Sequence, residues 1–227
     1  YKNRGRAIFQ KAEYGKAIDD LSTAIRMGLG DLEIHFLRGK AYSDTGGYDK
    51  AIVDYNQVLR LKPDDHEALL ERAIAFSLTE KPGEAIEDLT EVIRLMPNYA
   101  RPYNLRGIAY AQQGELDKAI RDFNEVLRLD PKYRPAYQCR GKAFYQQGEY
   151  GKAIEDLGKA IRMGVSDWEV YYRRGNAYFR TDQHEKAIAD FTETIRLKPD
   201  YGNAYAQRAL ARKALGRDSE AEADLEK

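Results

Sequence analysis

Small residues return along this chain at a constant interval of 34 positions. Starting from Ala17, each step of 34 residues reaches another alanine, at Ala51, Ala85, Ala119, Ala153, Ala187 and Ala221. A second alanine column begins at Ala7, and a third column that begins at Gly5 contains only glycine or alanine. A fixed period of this length is the signature of a stack of repeated supersecondary units. The pattern therefore predicts seven copies of one unit.

Bulky residues follow the same period. One column begins at Tyr1 and is mostly tyrosine, and another lies seven residues later, beginning at Ile8. A separation of seven residues is two turns along one face of an α helix. A third bulky column begins at Leu21 and belongs to a second helix of each unit. Bulky positions that face small positions predict two closely packed helices per repeat.

Turn-forming residues separate the predicted helices. Glycine, which tolerates the positive φ of a helix C-terminus, recurs at Gly46, Gly114, Gly148 and Gly216. Proline, which cannot continue a helix, recurs at Pro63, Pro97, Pro131 and Pro199. Two units lack this proline and end in Met27-Gly28 and Met163-Gly164, where we expect glycine C-caps. Ser166 with Glu169 predicts a capping box for the helix that follows the second of them.

These columns resemble the tetratricopeptide repeat signature, which one unit carries as Tyr103, Gly107, Tyr110, Ala119, Phe123 and Pro131. The resemblance implies an all-α fold: an α-solenoid of stacked antiparallel helix-turn-helix units that form a right-handed superhelix. We expect a single array with units at about 1–31, 32–65, 66–99, 100–133, 134–167, 168–201 and 202–227. Because no initiator methionine is present, we also expect the array to be an excerpt of a longer protein. The chain departs from the family in having arginine, not leucine, before the small residue of every unit.

That arginine recurs together with an aspartate of the second helix. The arginines begin at Arg4 and the aspartates at Asp20, and both columns run through all seven units, with Arg106, Asp122, Arg140 and Asp156 in the middle. Two opposite charges with one period predict a ladder of Arg–Asp pairs, since the planar guanidinium can hold a carboxylate with two hydrogen bonds. The period leaves open whether each pair lies within a repeat or bridges two repeats. We interpret the ladder as structural rather than as a ligand site.

Charge and composition exclude several classes of function. The chain has 37 lysines and arginines against 37 aspartates and glutamates, so it lacks the excess positive charge of a general nucleic-acid binder. No apolar run approaches the length that crosses a bilayer, so we expect no membrane insertion. Cys139 is the only cysteine, which rules out an internal disulfide and favours a reducing compartment such as the cytoplasm.

The residue types that carry catalysis are scattered. His35, His66 and His184 lie in different units, with no second ligand at metal-binding spacing. His35 occupies the tyrosine column and is interpreted as a packed side chain, and Cys139 as a structural thiol. We therefore expect no catalytic residue, no cofactor and no metal site, and predict that the chain is not an enzyme.

A binding surface is implied by the resemblance, because the first helix of each tetratricopeptide repeat lines a concave groove. Positions one, five, eight and nine residues after the tyrosine column should face this groove. In the later repeats they give a partner-binding site of aromatic, amide and basic side chains: Gln138, Lys142, Tyr145, Tyr172, Asn176, Phe179 and Arg180. Tyr145, Tyr172 and Phe179 are expected to form one aromatic cluster. The carboxylate clamp of chaperone-binding repeats is not expected, since Arg6, Leu37 and Tyr172 stand where it needs Asn, Asn and Lys.

The sequence thus predicts a scaffold that binds a protein or peptide segment in its groove. Two alternatives stay open at this point. One is self-association into a homo-oligomer through an uncapped repeat end, and the other is a docking arm for an enzyme whose catalytic domain lies outside this chain.

Overall fold

The computed structural model describes residues 1–227 and contains fourteen α helices and no β strand. The helices of the first half are α1 Lys2–Gln10, α2 Tyr14–Arg26, α3 Leu32–Asp44, α4 Tyr48–Leu61, α5 His66–Leu78, α6 Pro82–Leu95 and α7 Ala100–Gln112. Those of the second half are α8 Leu116–Leu129, α9 Arg134–Gln146, α10 Tyr150–Arg162, α11 Trp168–Arg180, α12 His184–Leu197, α13 Gly202–Ala214 and α14 Asp218–Leu225. The expected all-α solenoid of paired helices is confirmed.

The helices form two compact units, Tyr1–Gly114 and Glu115–Lys227. In each unit, every helix packs against the next one in the chain. The first helices of neighbouring repeats also approach one another: α1, α3, α5 and α7 in the first unit, and α9, α11 and α13 in the second. Second helices of neighbouring repeats make no such approach. Each unit therefore has an inner face formed by first helices, and we use this name for it below.

The turn between the two helices of a repeat uses a left-handed residue. At Gly148, φ is +80°, and the other glycines of this column are also positive. Three repeats have no glycine here, yet Ala12, Glu80 and Asp182 adopt φ values of +58°, +57° and +56°. The repeated helix packing imposes this conformation even where the side chain disfavours it.

Helix ends agree with most of the turn signals. The second helices that precede the recurrent prolines end at Leu61, Leu95, Leu129 and Leu197. Gly28 and Gly164 have φ values of +80° and +89°, as expected of glycine caps. The capping box expected at Ser166 is wrong, because the N-cap of α11 is Asp167, whose carboxylate accepts from the Glu169 amide at 3.0 Å. A carboxylate at this position also suits the positive end of the helix.

In the repeats of Gly5, Gly39, Gly141 and Gly175, a bulky side chain of the second helix packs directly against the glycine of the first helix. A Cβ atom added to Gly141 would lie 2.8 Å from Cγ of Leu157, and one added to Gly175 would lie 2.8 Å from Cε1 of Phe191. Every alanine of the column that begins at Ala17 is fully buried beside these contacts. The second helix can approach the first this closely only because the small column offers no side chain there.

The Arg–Asp pairs lie within repeats. Nε and Nη2 of Arg140 donate to the two carboxylate oxygens of Asp156 at 2.6 and 2.8 Å, so the pair joins α9 to α10. The same two-pronged contact, with a separation of 16 residues, is formed by Arg4–Asp20, Arg38–Asp54, Arg72–Asp88, Arg174–Asp190 and Arg208–Asp224. Arg106 and Asp122 occupy the same positions in the fourth repeat. His35 also contacts a ladder carboxylate, with Nδ1 2.8 Å from Oδ1 of Asp54.

The third guanidinium nitrogen, Nη1, reaches back to the preceding repeat. Arg140 Nη1 donates to Oδ1 of Asn124 at 2.6 Å. Equivalent bonds to a side-chain oxygen are Arg38–Ser22, Arg72–Asn56, Arg106–Thr90 and Arg208–Thr192. One arginine therefore ties two helices of its own repeat and one helix of its neighbour. The question left open by the sequence is answered by geometry: the carboxylate lies within the repeat, and a different acceptor bridges repeats.

Candidate functional site

The partner-binding residues expected from the sequence lie on α9 and α11, which contact each other on the inner face of the second unit. Arg180 is exposed, and the other six are partly buried: Gln138, Lys142, Tyr145, Tyr172, Asn176 and Phe179. Partial burial leaves each side chain with fixed neighbours and some surface open to a ligand. Their contacts divide them into a polar network and two aromatic groups.

The polar network connects α9 to the start of α11. Gln138 Nε2 donates to Oδ2 of Asp167 at 3.0 Å, and Lys142 Nζ donates to Oε2 of Glu169. Arg173 Nη2 donates to the other oxygen of Glu169 at 2.7 Å. Glu169 therefore accepts from two cations on different helices. Lys142 is not a free cation in this arrangement, because it is already neutralised.

The charge of Glu169 is stabilised by these partners. Burial by itself would raise the pKa of the Glu169 carboxyl, but hydrogen bonds and charge from Lys142 and Arg173 outweigh it and hold the pKa below its usual value. The carboxyl is thus ionised at neutral pH. An incoming carboxylate that met Lys142 and Arg173 would compete with Glu169 for the same donors.

The first aromatic group surrounds Tyr145. Its ring centroid lies 5.7 Å from that of Tyr150, and the guanidinium carbon of Arg173 lies 5.9 Å from it. Arg180 lies over the Tyr150 ring at 4.9 Å. Burial is the main cause that raises the pKa of the Tyr145 hydroxyl, so it stays protonated as a hydrogen-bond donor.

The second aromatic group surrounds Tyr172. Its ring lies 5.0 Å from Tyr201 in an edge-on geometry and 5.9 Å from the buried ring of Phe191. Phe179 packs against the same buried cluster and lies 5.2 Å from the His184 ring. Asn176 turns its amide back to the Tyr172 carbonyl at 2.9 Å. Tyr172 and Phe179 thus belong partly to the core, and the structure gives them no ring contact with Tyr145.

Sequence reasoning missed three contributors to this face. Tyr150 and Arg173 complete the group around Tyr145, and Glu169 holds the two cations together. Tyr150 begins the second helix of its repeat, a position that the groove pattern does not include. The signal that was available is the four-residue spacing of Glu169 and Arg173 on one helix, which favours an ion pair.

The inner face of the first unit has a different character. Lys2 pairs with Asp31 and Glu33, Arg6 pairs with Glu33, and all four lie near the start of the array. On α7, Asn104 is 6% exposed, and its side-chain oxygen has no hydrogen-bond partner. A buried amide oxygen without a donor is destabilising unless a ligand supplies one.

Cys139 lies on α9 of the second unit, and it is a partly buried free cysteine. Burial raises the pKa of the Cys139 thiol above its ordinary value, and the positive charge of Lys142 offsets only part of this effect. Because the thiolate is the reactive form, we expect iodoacetamide to alkylate Cys139 in the folded chain more slowly than it alkylates glutathione at pH 8. Mass spectrometry of timed samples measures this, with the urea-unfolded chain as the control. Equal rates in the folded and unfolded chains would show that the thiol is accessible.

None of the fourteen helices is long and apolar enough to cross a membrane. No group of three or more His, Cys, Asp or Glu side chains is arranged to hold a metal ion.

Comparison with known families identifies the class of protein. A family model described as TPR repeat matches residues 39–79, 109–148 and 141–182, and a second model, described as tetratricopeptide repeat, matches residues 168–201. The chain belongs to the tetratricopeptide repeat (TPR) family. Since repeats of this family serve protein–protein interaction, the chain is an interaction scaffold. A search among curated proteins finds no match.

Solved structures share the fold at low sequence identity. A tetratricopeptide repeat protein from Parabacteroides merdae is 20% identical, with a TM-score of 0.74 over 98% of this chain and 88% of that one. MamA from Desulfovibrio magneticus is 23% identical, with a TM-score of 0.67 over 71% of this chain and 91% of that one. YrrB, described as a TPR protein with an unusual peptide-binding site, is 16% identical, with a TM-score of 0.69 over 81% of this chain and 95% of that one.

Proposed function

We propose that this chain is a non-catalytic scaffold that holds a peptide or protein segment against the inner face of α9 and α11. The observation that carries the proposal is the group around Tyr145, in which an aromatic ring and two arginines, Arg173 and Arg180, share one partly open surface. Tyrosine and arginine are the residues that most often anchor protein interfaces. The expected partner-binding residues Gln138 and Lys142 extend this surface along α9.

The charges of this face favour a ligand that presents a carboxylate beside an apolar side chain. Arg180 is exposed, lies on the Tyr150 ring and has no carboxylate partner. Lys142 and Arg173 would become available if the ligand displaced Glu169. The apolar side chain would lie against Tyr145. This mode differs from a chaperone carboxylate clamp, because Tyr172 occupies the clamp's lysine position and packs partly into the core.

The description of YrrB as a TPR protein with an unusual peptide-binding site supports the general mode only, since that protein is 16% identical to this chain. The ligand class proposed here rests on the residues of this chain.

Selection from a peptide library tests the proposal. Peptides displayed on phage are selected on the full chain, and the dissociation constant of the best sequence is measured by fluorescence anisotropy. We expect an acidic and apolar consensus, and Arg180→Ala and Tyr145→Ala should each weaken binding by about tenfold or more, as anchor residues do. The matched control is Arg196→Ala, which removes an exposed arginine of α12, paired with Glu193, on a second helix rather than on the inner face.

The comparison between variants decides the outcome. Binding that falls in the Arg180 and Tyr145 variants but not in the Arg196 variant supports the site, provided that melting temperatures show all three variants folded. Binding that is equal in all variants, or a library that yields no binder, contradicts it.

A further inference from the structure

One arginine of the ladder lacks its bond to the preceding repeat. Arg174 donates from Nε and Nη2 to Asp190, at 2.7 and 2.6 Å, but its Nη1 has no acceptor. The reason is the residue at the bridging position, which is Gly158, where the neighbouring repeats have Asn124 and Thr192. A single side chain is therefore missing from an otherwise regular row of inter-repeat bonds.

The next position differs from the third, fourth and sixth repeats as well. Glu125 and Glu193 each pair with the arginine three residues later, and Glu91 does the same. In the fifth repeat this position is Lys159, so Arg162 has no carboxylate partner. Lys159 instead donates to the hydroxyl oxygen of Tyr137 at 2.6 Å and lies over its ring at 4.2 Å. The charge at this position is reversed, and two cations are left beside the gap at Gly158.

These two changes leave an open cavity of about 580 Å³ between the fifth and sixth repeats of the array, both of which lie in the second unit. Its lining includes the basic residues Arg140, Lys159, Arg162 and Arg174, with the carboxylates of Glu155 and Asp156. Asp156 is already neutralised by Arg140. A Cβ atom placed on Gly158 would lie 3.4 Å from Nη1 of Arg162 and 3.5 Å from Nη1 of Arg174, so both guanidinium groups face the same unfilled point.

We propose that this cavity binds a phosphate group, either as free inorganic phosphate or as a phosphate monoester. Nη1 of Arg174 and Nη1 of Arg162 face the same point, and Lys159 belongs to the same lining. Together they supply the charge-assisted donors that a doubly charged tetrahedral anion accepts. A carboxylate, with two oxygens in one plane, would use one arginine and leave the other cations unneutralised. The anion would replace the acceptor that Gly158 lacks and the negative charge that Lys159 has reversed. This site is separate from the inner-face site proposed above.

The test restores the missing side chain. Isothermal titration calorimetry of the full chain with inorganic phosphate, and separately with O-phosphoserine, is done at constant ionic strength to fix charge screening. Gly158→Asn introduces the residue found at this position in the fourth repeat, whose side chain would occupy the point that both Nη1 atoms face and accept from Arg174 without removing any cation. We expect it to weaken phosphate binding by at least about tenfold, since the anion loses a charge-assisted donor and its space. Lys159→Glu should have the same effect by introducing the Glu–Arg pair that the third, fourth and sixth repeats have.

A matched control separates a built site from any unpartnered arginine. Thr192→Gly removes the acceptor of Arg208 in the next repeat, but leaves the Glu193–Arg196 pair in place. In the chain with both Gly158→Asn and Thr192→Gly, we expect no recovery of phosphate binding. Saturable binding of either probe by the native chain, lost in Gly158→Asn, supports the proposal, and the tighter of the two probes identifies the free or the esterified source. The proposal is overturned if neither probe binds, if Gly158→Asn binds as well as the native chain, or if Thr192→Gly restores binding to the double variant.

Discussion

Asp156→Ala is expected to lower the free energy of unfolding by about 3 kcal/mol, near the lower end of the range for breaking a buried ion pair. Asp156 is 6% exposed and accepts both hydrogen bonds of the Arg140 fork. Without it, the guanidinium keeps its position between the helices but loses the carboxylate that neutralises it. The loss is at the lower end because Arg140 retains partial access to water, which solvates some of its charge.

Urea unfolding followed by tryptophan fluorescence measures this change in the relevant unit. Trp168 is the only tryptophan, and it lies on α11 in the same unit as Asp156. Glu155→Ala, which removes a neighbouring exposed carboxylate, serves as the control and should change stability by no more than about 0.5 kcal/mol. The double variant Arg140→Met with Asp156→Ala should be less destabilised than Asp156→Ala alone, because no unpaired charge remains. Equal damage from the single and the double variant would contradict the pairing.

The repeat period predicted the helices well because it records packing that is the same in every unit. The small and bulky columns predicted close packing of the two helices, which the structure shows between Gly141 and Leu157 and between Gly175 and Phe191. The structure contains Arg–Asp pairs such as Arg140–Asp156. The sequence could not decide whether such a pair lies within a repeat, since a 34-residue period is satisfied by a contact 16 residues forward or 18 residues back. Only the approach of the two helices within a repeat selects the first.

Two contacts of the ladder arginine, with aromatic rings of its own helix and with a polar side chain of the preceding repeat, were not predicted from the recurring Arg and Asp positions. Arg140 lies 5.8 Å from both the Tyr137 and the Phe144 ring, because positions three before and four after it share its face of the helix. The bond of Arg140 to Asn124 was missed because the column of Asn124 varies among Ser, Asn, Thr, Gly and Glu, and so looks irregular in the sequence.

The inner-face residues were predicted less completely. Helical spacing placed Gln138, Lys142 and Tyr145 on one face of α9, but their neighbours come from about 27 to 29 residues away, as in the Lys142–Glu169 and Gln138–Asp167 contacts. Tyr172 and Phe179 illustrate the limit of the pattern. Their positions face the groove in the family, yet in this chain large rings at these positions also reach the buried Phe191 cluster. Whether they anchor a partner is a proposal that the peptide selection would test.

The second large effect is expected at Gly175, where substitution by alanine should destabilise the chain by about 2–3 kcal/mol. The added methyl group would lie 2.8 Å from Cε1 of Phe191, closer than Cβ atoms come to their neighbours in folded proteins, and 3.2 Å from Cβ of Asp190. Overpacking of a filled core has costs of this size because the ring or the whole helix must move. Movement of α12 would also strain the Arg174–Asp190 pair beside the ring.

The other repeats indicate how this damage can be repaired. Alanine replaces glycine naturally at Ala73 and Ala209, and in both repeats the facing bulky residue is leucine, Leu89 and Leu225. In the sequence, a glycine stands 16 residues before every aromatic residue of this column, and the structure shows the contact at Gly39 with Tyr55 and at Gly175 with Phe191. We therefore expect Phe191→Leu, added to Gly175→Ala, to recover part of the lost stability, since the combination reproduces a pairing that the chain already uses.

A control for the backbone effect is available one repeat earlier. Gly151 lies in the first turn of α10 and has no atom within 4 Å of an added Cβ, so Gly151→Ala should stabilise the chain by up to about 1 kcal/mol through helix propensity alone. In the same urea titration, we then expect the free energy of unfolding to fall in Gly175→Ala and to rise in Gly151→Ala, although both changes lie in one unit. If Gly175→Ala were also stabilising, or if Phe191→Leu gave no recovery, the recurrent glycine would not be required by the facing ring. The small column would then reflect the history of the repeats rather than the packing of their helices.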